Sequence, residues 1–415
     1  MKRVWAGVSV LILVFCVCGP ASADPATSWV GTWATSPTGL PTESRTGTYV
    51  YPAKRAFTGT VRYRIRVSLA GQAIRLALSN EYGDKPLEVA AASVGVAAND
   101  LDAVPGSIRP ATFNGQRGIR IPVGAPVLTD PINMPIKDGS DLIVSFYVSQ
   151  PTWLVTCTAD YPLSNQTAIA SKDETLKLKA PAGHCLGTLR PLVSRVDVLP
   201  ESRARVLVTL GDSITDGSVD ATTGERGWPG ALARRVRENH IAVVNAGISG
   251  NRLLESMSIA GNSALARLEQ DVFSVPGLTH IAVLEGTNDI GLSGKGGILG
   301  DSPLVRSEDL IAAYTQIIAR AHERGVKVVC ATIAPFEGIA YPGYYSEEKE
   351  LVRERFNEWV RTAEQCDGKV DFDRVLRADD HPRRLRADVD SGDHLHPNSK
   401  GHREMAESFD IHLLD

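Results

Sequence analysis

At 415 residues the chain is longer than one ordinary domain, so two domains are the starting expectation. With 43% hydrophobic and 22% charged residues it has the balance of a soluble globular protein. A formal net charge of -4 supplies no basic face to meet phosphates, which excludes a dedicated DNA- or RNA-binding role.

The first residues have the pattern of an export signal. Lys2 and Arg3 give a positive start, Val4 to Cys18 form an apolar run too short to span a bilayer, and Ala21-Ser22-Ala23 supplies small residues for cleavage before Asp24. Residues 1–23 are therefore expected to be removed, leaving a secreted or periplasmic protein with no membrane span. Cys157, Cys185, Cys330 and Cys366 then remain, an even set in an oxidising compartment. Cys157 and Cys185 bracket a polar stretch and are the expected pair; Cys330 lies in the apolar run Val326 to Ile333, where a buried free thiol is the ordinary expectation, with pairing to Cys366 as the alternative. None of the four has zinc-ligand spacing.

From Trp29 to about Pro200 apolar residues recur with period two. Val61, Tyr63, Ile65, Val67 and Leu69 point one way, while Arg62, Arg64, Arg66 and Ser68 point the other. Ala70-Gly71-Gln72 turns the chain, Ile74, Leu76 and Leu78 repeat the alternation, and Leu142, Val144, Phe146 and Val148 do so again. Such strands, separated by Gly, Pro, Asn and Asp clusters, predict an antiparallel β-sandwich-like domain over 24–200, with the arginine row on a solvated face.

Beyond Pro200 strands and helices alternate, predicting an α/β domain over 201–415. Val206 to Leu210 reads as a strand buried on both faces, and Trp228-Pro229 opens a helix through Arg237. Strands follow at Ile241 to Val244 and Ile281 to Leu284. Ser307 is the expected N-cap of a helix ended by Gly325. A strand at Val326 to Ile333, a helix at Glu347 to Ala363, a short strand at Lys369 to Phe372 and a last helix around Gly401 to Phe409 complete the order. Repeated βα units imply a parallel sheet covered by helices on both sides.

In such a sheet the reactive groups collect at the carboxyl ends of the strands. Those ends here are Gly211-Asp212-Ser213, Asn245 to Asn251, Gly286-Thr287-Asn288-Asp289, and the later segment Asp393-His394-Leu395-His396-Pro397. A serine hydroxyl needs a base to take its proton, and a histidine base needs a carboxylate to hold it in one tautomer. Ser213, His396 and Asp393 fit these roles, since the three-residue spacing lets one tight loop hold both Asp393 and His396. The backbone N–H groups of Ser213 and Gly250 and the Asn288 amide fit as donors to an oxyanion.

These four segments, in this order, resemble the motif blocks of the SGNH/GDSL hydrolase family. Ser213, Gly250, Asn288 and His396 stand at the namesake positions and Asp393 at the aspartate of its Asp-x-x-His pattern. The resemblance runs from Arg205 onward, and Gly31 to Thr35 and Leu78 to Gly83 are similar to the β-rich extension of secreted bacterial members. It implies a flavodoxin-like three-layer α/β/α domain with a five-stranded parallel sheet. It also implies ester hydrolysis without a cofactor. Thr215 stands where the α/β-hydrolase elbow would want its second glycine, which disfavours that fold.

The neighbouring polar residues have quieter readings. Asp212, Asp216 and Asp289 are expected to brace loops, and His394 to be a structural or substrate-facing neighbour rather than the base. Asp393, His394, His396 and His402 could be drawn as a metal site, but the triad already explains two of them. Gly291 to Gly300 lacks the phosphate-loop pattern because Gly296 follows Lys295, and is expected to be a mobile loop beside the substrate. Asn165-Gln166-Thr167 matches a glycosylation sequon. The expected substrates are small-molecule or carbohydrate esters with short acyl groups. A lipase or lysophospholipase, an acyltransferase to alcohols, and a glycan-binding protein acting through its N-terminal region are the alternatives.

Overall fold

The computed structural model describes residues 28–39, 56–153, 156–157, 167–184, 192–257, 260–297 and 299–415. The signal segment, Cys185 and the Asn165-Gln166 part of the sequon lie outside the described residues.

Before residue 200 the chain is β-rich. Its longer strands are β1 (Val30–Ala34), β2 (Ala56–Arg66), β3 (Gly71–Ser79), β4 (Leu87–Asn99), β5 (Ile132–Ile136), β6 (Asp141–Trp153), β7 (Thr167–Ala170) and β8 (Val193–Leu199). One antiparallel sheet has the order β1-β8-β3-β5, and a second contains the run β7-β2-β6-β4. The period-two pattern explains the pairing. Val61, Tyr63 and Ile65 of β2, Ile74, Leu76 and Leu78 of β3, and Val144 and Phe146 of β6 all enter one core.

The arginine row departs from the solvated face expected of it. Arg62 is fully buried, and its guanidinium donates to Ser145 Oγ at 3.0 Å and to the carbonyls of Lys179, Glu174 and Lys177 at 2.9, 3.1 and 2.6 Å. A buried guanidinium is tolerable only with its donors spent this way. Arg64 and Arg66 converge on Asp141, both at 2.7 Å, and Arg66 also donates to the carbonyl of Thr223 in the second half of the chain. A sheet face covered by loops from elsewhere leaves no mark in strand periodicity.

After residue 200 five strands, β9 (Arg205–Gly211), β10 (Ile241–Gly247), β11 (Leu278–Leu284), β12 (Lys327–Ala331) and β13 (Gly368–Val370), form a parallel sheet in the order β10-β9-β11-β12-β13. The helices that matter to the site are α1 (Ser213–Asp216), α2 (Gly227–Arg235), α3 (Thr287–Leu292), α4 (Ser307–His322), α5 (Glu347–Thr362), α6 (Phe372–Leu376) and α7 (Ser399–Ser408). Strand side chains alternate between two cores. Leu207, Val243, Ala282 and Val329 pack with Trp228 of α2, Phe372 of α6 and Met405 of α7. Val208, Val244, Ile281 and Val328 pack with Tyr314 of α4 and Phe356 of α5. That second core is continuous with the core of the β-rich region.

Three local expectations are corrected. Arg306, not Ser307, caps α4, its N–H donating to Asp309 at 3.3 Å. The strand expected at 369–372 stops at Val370 because Asp371 caps α6, its side chain accepting from the Arg374 N–H. Cys330 is not a free thiol: it forms a disulfide with Cys366. Val329 pairs with Gly368 on the adjacent strand, and this register brings the two cysteines within reach, Cα to Cα 6.0 Å.

The exposed flank of β10 is the side an edge strand must protect. Here β1 lies over it. The Val243 N–H of β10 donates to Ser68 Oγ at 3.1 Å, and the Gly31 N–H of β1 donates to the Pro276 carbonyl, just before β11, at 2.9 Å.

Candidate active site

The strand order reverses at β9, which has the next strand on one side and the third on the other. A crevice opens at the carboxyl end of a sheet where its order reverses. The chain leaves β9 through Gly211, where a Cβ would meet Thr215 Oγ1 at 2.2 Å and the Leu284 carbonyl at 2.6 Å, so only glycine permits the turn. Asp212 caps α1, accepting from the Ile214 N–H at 2.9 Å. The cap role is thus taken by Asp212, and Ser213 is left as the first residue of the helix.

The Ser213 hydroxyl lies 2.8 Å from His396 Nε2. His396 Nδ1 lies 2.5 Å from Asp393 Oδ2, a contact that places the ring proton on Nδ1 and leaves Nε2 to accept. The loop before α7 builds this pair locally. Asp393 Oδ1 accepts from the N–H groups of Leu395 at 3.0 Å and His396 at 2.8 Å, and from Ser391 Oγ at 3.0 Å. Burial acts to raise the Asp393 carboxyl, but the His396 ring and these N–H groups outweigh it and hold it well below the usual carboxylate range.

Gly250 follows β10 with φ +77, a conformation that favours glycine, and its N–H has no partner among the described residues. Asn288, on α3 and buried, donates from Nδ2 to the Asn251 carbonyl at 2.9 Å. Its Oδ1 accepts from the Tyr344 hydroxyl at 2.9 Å. The Asn251 carbonyl can only accept, so it fixes which end of the amide faces it; Tyr344 must then be the donor at the other end. Burial pushes the Tyr344 hydroxyl up, which keeps that proton in place.

The other named residues divide by their partners. Asp289 accepts from the N–H groups of Leu253 at 2.7 Å and Leu254 at 2.9 Å, and Asp216 is held by Arg226 at 2.6 Å. His394 pairs through Nδ1 with Asp390 at 2.7 Å. His402 is buried in α7, and its burial first, then the nearby His396, lowers it to about 4. Among the described residues no three His, Cys, Asp or Glu side chains are placed to hold a metal ion. The Gly291 segment is tied down by Lys349, which donates to the Gly291 carbonyl at 2.7 Å, and it lies against the Tyr344 ring.

Two contributors escape sequence reading. Tyr344 sits in a loop without a motif. Arg267 lies in an ordinary helical stretch, yet it is buried and donates to the Gly211 carbonyl at 3.1 Å, the Ala246 carbonyl at 2.6 Å, Asn251 Oδ1 at 3.0 Å and Ser36 Oγ at 3.1 Å. A count of arginines inside helices could not have singled it out.

The family model described as GDSL-like Lipase/Acylhydrolase matches residues 209–404. This part of the chain is a GDSL-like lipase/acylhydrolase domain. No curated protein matches the chain. Among solved structures, the M. smegmatis aryl esterase is 16% identical with TM-score 0.39, over 49% of this chain and 95% of its own. A catalytic mutant of an acetylxylan esterase from Geobacillus stearothermophilus is 18% identical with TM-score 0.37, over 51% and 94%. A GDSL-like lipase from Bacteroides thetaiotaomicron is 16% identical with TM-score 0.37, over 50% and 87%.

The acylhydrolase domain also buries carboxyls beneath its candidate nucleophile. Burial, opposed by the Ile214 N–H, pushes Asp212 up from 3.8 to about 6. A carboxyl raised by folding holds a proton that the unfolded chain has already released, so stability falls as pH rises between those two values and stays lower above them. Asp212→Asn keeps the oxygen that accepts from Ile214 and removes the ionisation. The variant should gain stability relative to the parent as pH rises from about 4 to about 6, as denaturant midpoints across that range would show. A difference that does not change with pH would refute this account of Asp212.

Proposed function

We propose that this protein is a serine-dependent carboxylic-ester hydrolase working through an acyl-Ser213 intermediate. The hydrogen-bonded series Ser213–His396–Asp393 is the observation that carries the reading. His396 Nε2 takes the Ser213 proton as Oγ attacks the ester carbonyl carbon. The oxyanion receives hydrogen bonds from the Ser213 and Gly250 N–H groups and from the second N–H of the Asn288 amide, the first being held by Asn251. The protonated His396 then gives its proton to the departing alkoxide, and the acyl group remains on Ser213. In deacylation His396 takes a proton from water, hydroxide attacks the acyl carbon, and the proton returns to Ser213 as the acid leaves. Asp393 stabilises the imidazolium at both stages.

In this reading the chain has a β-rich domain over 24–200 and a catalytic domain over 201–415, and helices packed on both faces of the parallel sheet make the latter a flavodoxin-like three-layer α/β/α domain. Residues 1–23 are a signal peptide that directs the protein outside the cytoplasm. Mass spectrometry of protein recovered from outside the cytoplasm should find Asp24 as the first residue; finding the chain only inside cells with residues 1–23 retained would remove the export proposal.

Short-acyl esters, including O-acetylated carbohydrates, are the proposed substrates, and a lipase or lysophospholipase is the competing assignment. Hydrolysis of p-nitrophenyl esters from acetate to palmitate should peak at acetate or butyrate and fall about 10⁴-fold in Ser213→Ala. A peak at long chains selects the lipase. Activity equal in parent and variant discards Ser213 as nucleophile.

Tyr344 is a positioning residue here, since it holds Asn288 with Nδ2 turned toward the Gly250 side. Tyr344→Phe should lower kcat roughly ten-fold with little change in KM, because the donor it aligns acts on the transition state. A rise in KM at constant kcat would contradict that role.

A further inference from the structure

The loop before α7 carries two carboxylate–imidazole pairs, and the mechanism uses one. Asp393 holds His396; Asp390, whose side chain is only 7% exposed, holds His394 at 2.7 Å. Asp390 is itself braced, accepting from the N–H groups of Gly392 at 2.8 Å and His394 at 3.1 Å. The backbone bends sharply to keep this arrangement: His394 has φ +63, in the left-handed region that most residues avoid and that asparagine, aspartate and histidine enter more readily than the rest.

Asp390 also decides what His394 can offer. With Nδ1–H committed to the carboxylate, Nε2 of the neutral ring is an acceptor. It has no partner among the described residues, and the side chain is 51% exposed. The ring lies against Gly338, where an added Cβ would come within 3.3 Å of it. Gly338 belongs to the same segment as Tyr344, whose hydroxyl holds Asn288. This segment therefore touches both His394, two residues from the base, and the amide assigned to the oxyanion. A half-exposed acceptor two residues from the proposed base, oriented by a buried carboxylate, is suited to a hydroxyl donor on the part of the ester that leaves.

We propose that His394, oriented by Asp390, is a specificity residue that accepts a hydrogen bond from a free hydroxyl on the alcohol portion of the substrate, so that esters of polyols and sugars are preferred. The proposal rests on the acyl-Ser213 reading and refines its substrate class. The test pair is glycerol 1-acetate and its 2,3-di-O-methyl ether, which share the acyl group and carbon skeleton and differ in hydroxyl donors. The parent protein should show a higher kcat/KM for glycerol 1-acetate. His394→Asn tolerates the left-handed backbone but is too short to reach, and should lower the ratio of the two kcat/KM values about five-fold. His394→Gln, with a longer side chain and an acceptor oxygen, should recover part of it. No preference in the parent, or an equal loss on both esters in His394→Asn, overturns the proposal. Failure of the underlying mechanism is read separately, as activity on either ester that survives Ser213→Ala.

Discussion

The geometry of the site depends on one buried cation. Arg267 is 1% exposed, and its acceptors come from four parts of the chain: the end of β9 at Gly211, the end of β10 at Ala246, the side chain of Asn251 and Ser36 of the β-rich region. Gly211 leads into Ser213, and Asn251 follows Gly250 and holds Asn288 through its carbonyl. One guanidinium therefore fixes the relative placement of the proposed nucleophile turn and the proposed oxyanion donors. Asp271 at 3.0 Å offsets its charge, with Glu285 farther off at 3.9 Å. A buried ion of this kind is retained when its donors are all used, because removing it would strand acceptors and carboxylates in a place water does not reach.

That arrangement has an electrostatic consequence. Asp212, Glu285 and Asp289 are all buried near the end of β9 and β11, and burial raises all three. Asp393 is the exception, held low by the ring it serves. The difference is first one of burial, since Asp212, Glu285 and Asp289 are buried whereas the Asp393 side chain is 42% exposed, and then one of partners. Asp393 accepts from two backbone N–H groups, a serine and an imidazole, whereas Asp212 and Glu285 each have one oxygen without a partner. A negative charge is thus concentrated where it can stabilise an imidazolium, and it is disfavoured beneath the serine, where it would oppose an oxyanion.

What sequence made legible follows the range of the interactions. The central parallel strands and the longer helices were readable because buried strands and amphipathic helices impose patterns over seven to sixteen residues. Asp393 and His396 were readable as a pair because a three-residue spacing is itself local geometry. Arg62, Tyr344 and Arg267 were not. Each acts through partners far away in the chain, such as Arg62 with Lys179 or Tyr344 with Asn288, and no periodicity encodes them. Cys330 shows the same limit: its burial was evident from its apolar run, but its bond to Cys366 follows from strand register, which only the folded sheet supplies.

The β-rich region supports the same site. The parallel sheet ends at β10 with a strand that would otherwise present backbone donors to solvent, and Ser68 answers one of them at Val243. Val30 packs against the Gly277 turn, and the core runs from β2 and β3 into the side chains of β9 and β10 without a break. Ser36 then reaches Arg267 itself. Site residues and supporting residues are thus joined through one packed interior, and the N-terminal sheets help to hold the turn that carries Ser213 in position even though they contribute no group to the proposed chemistry.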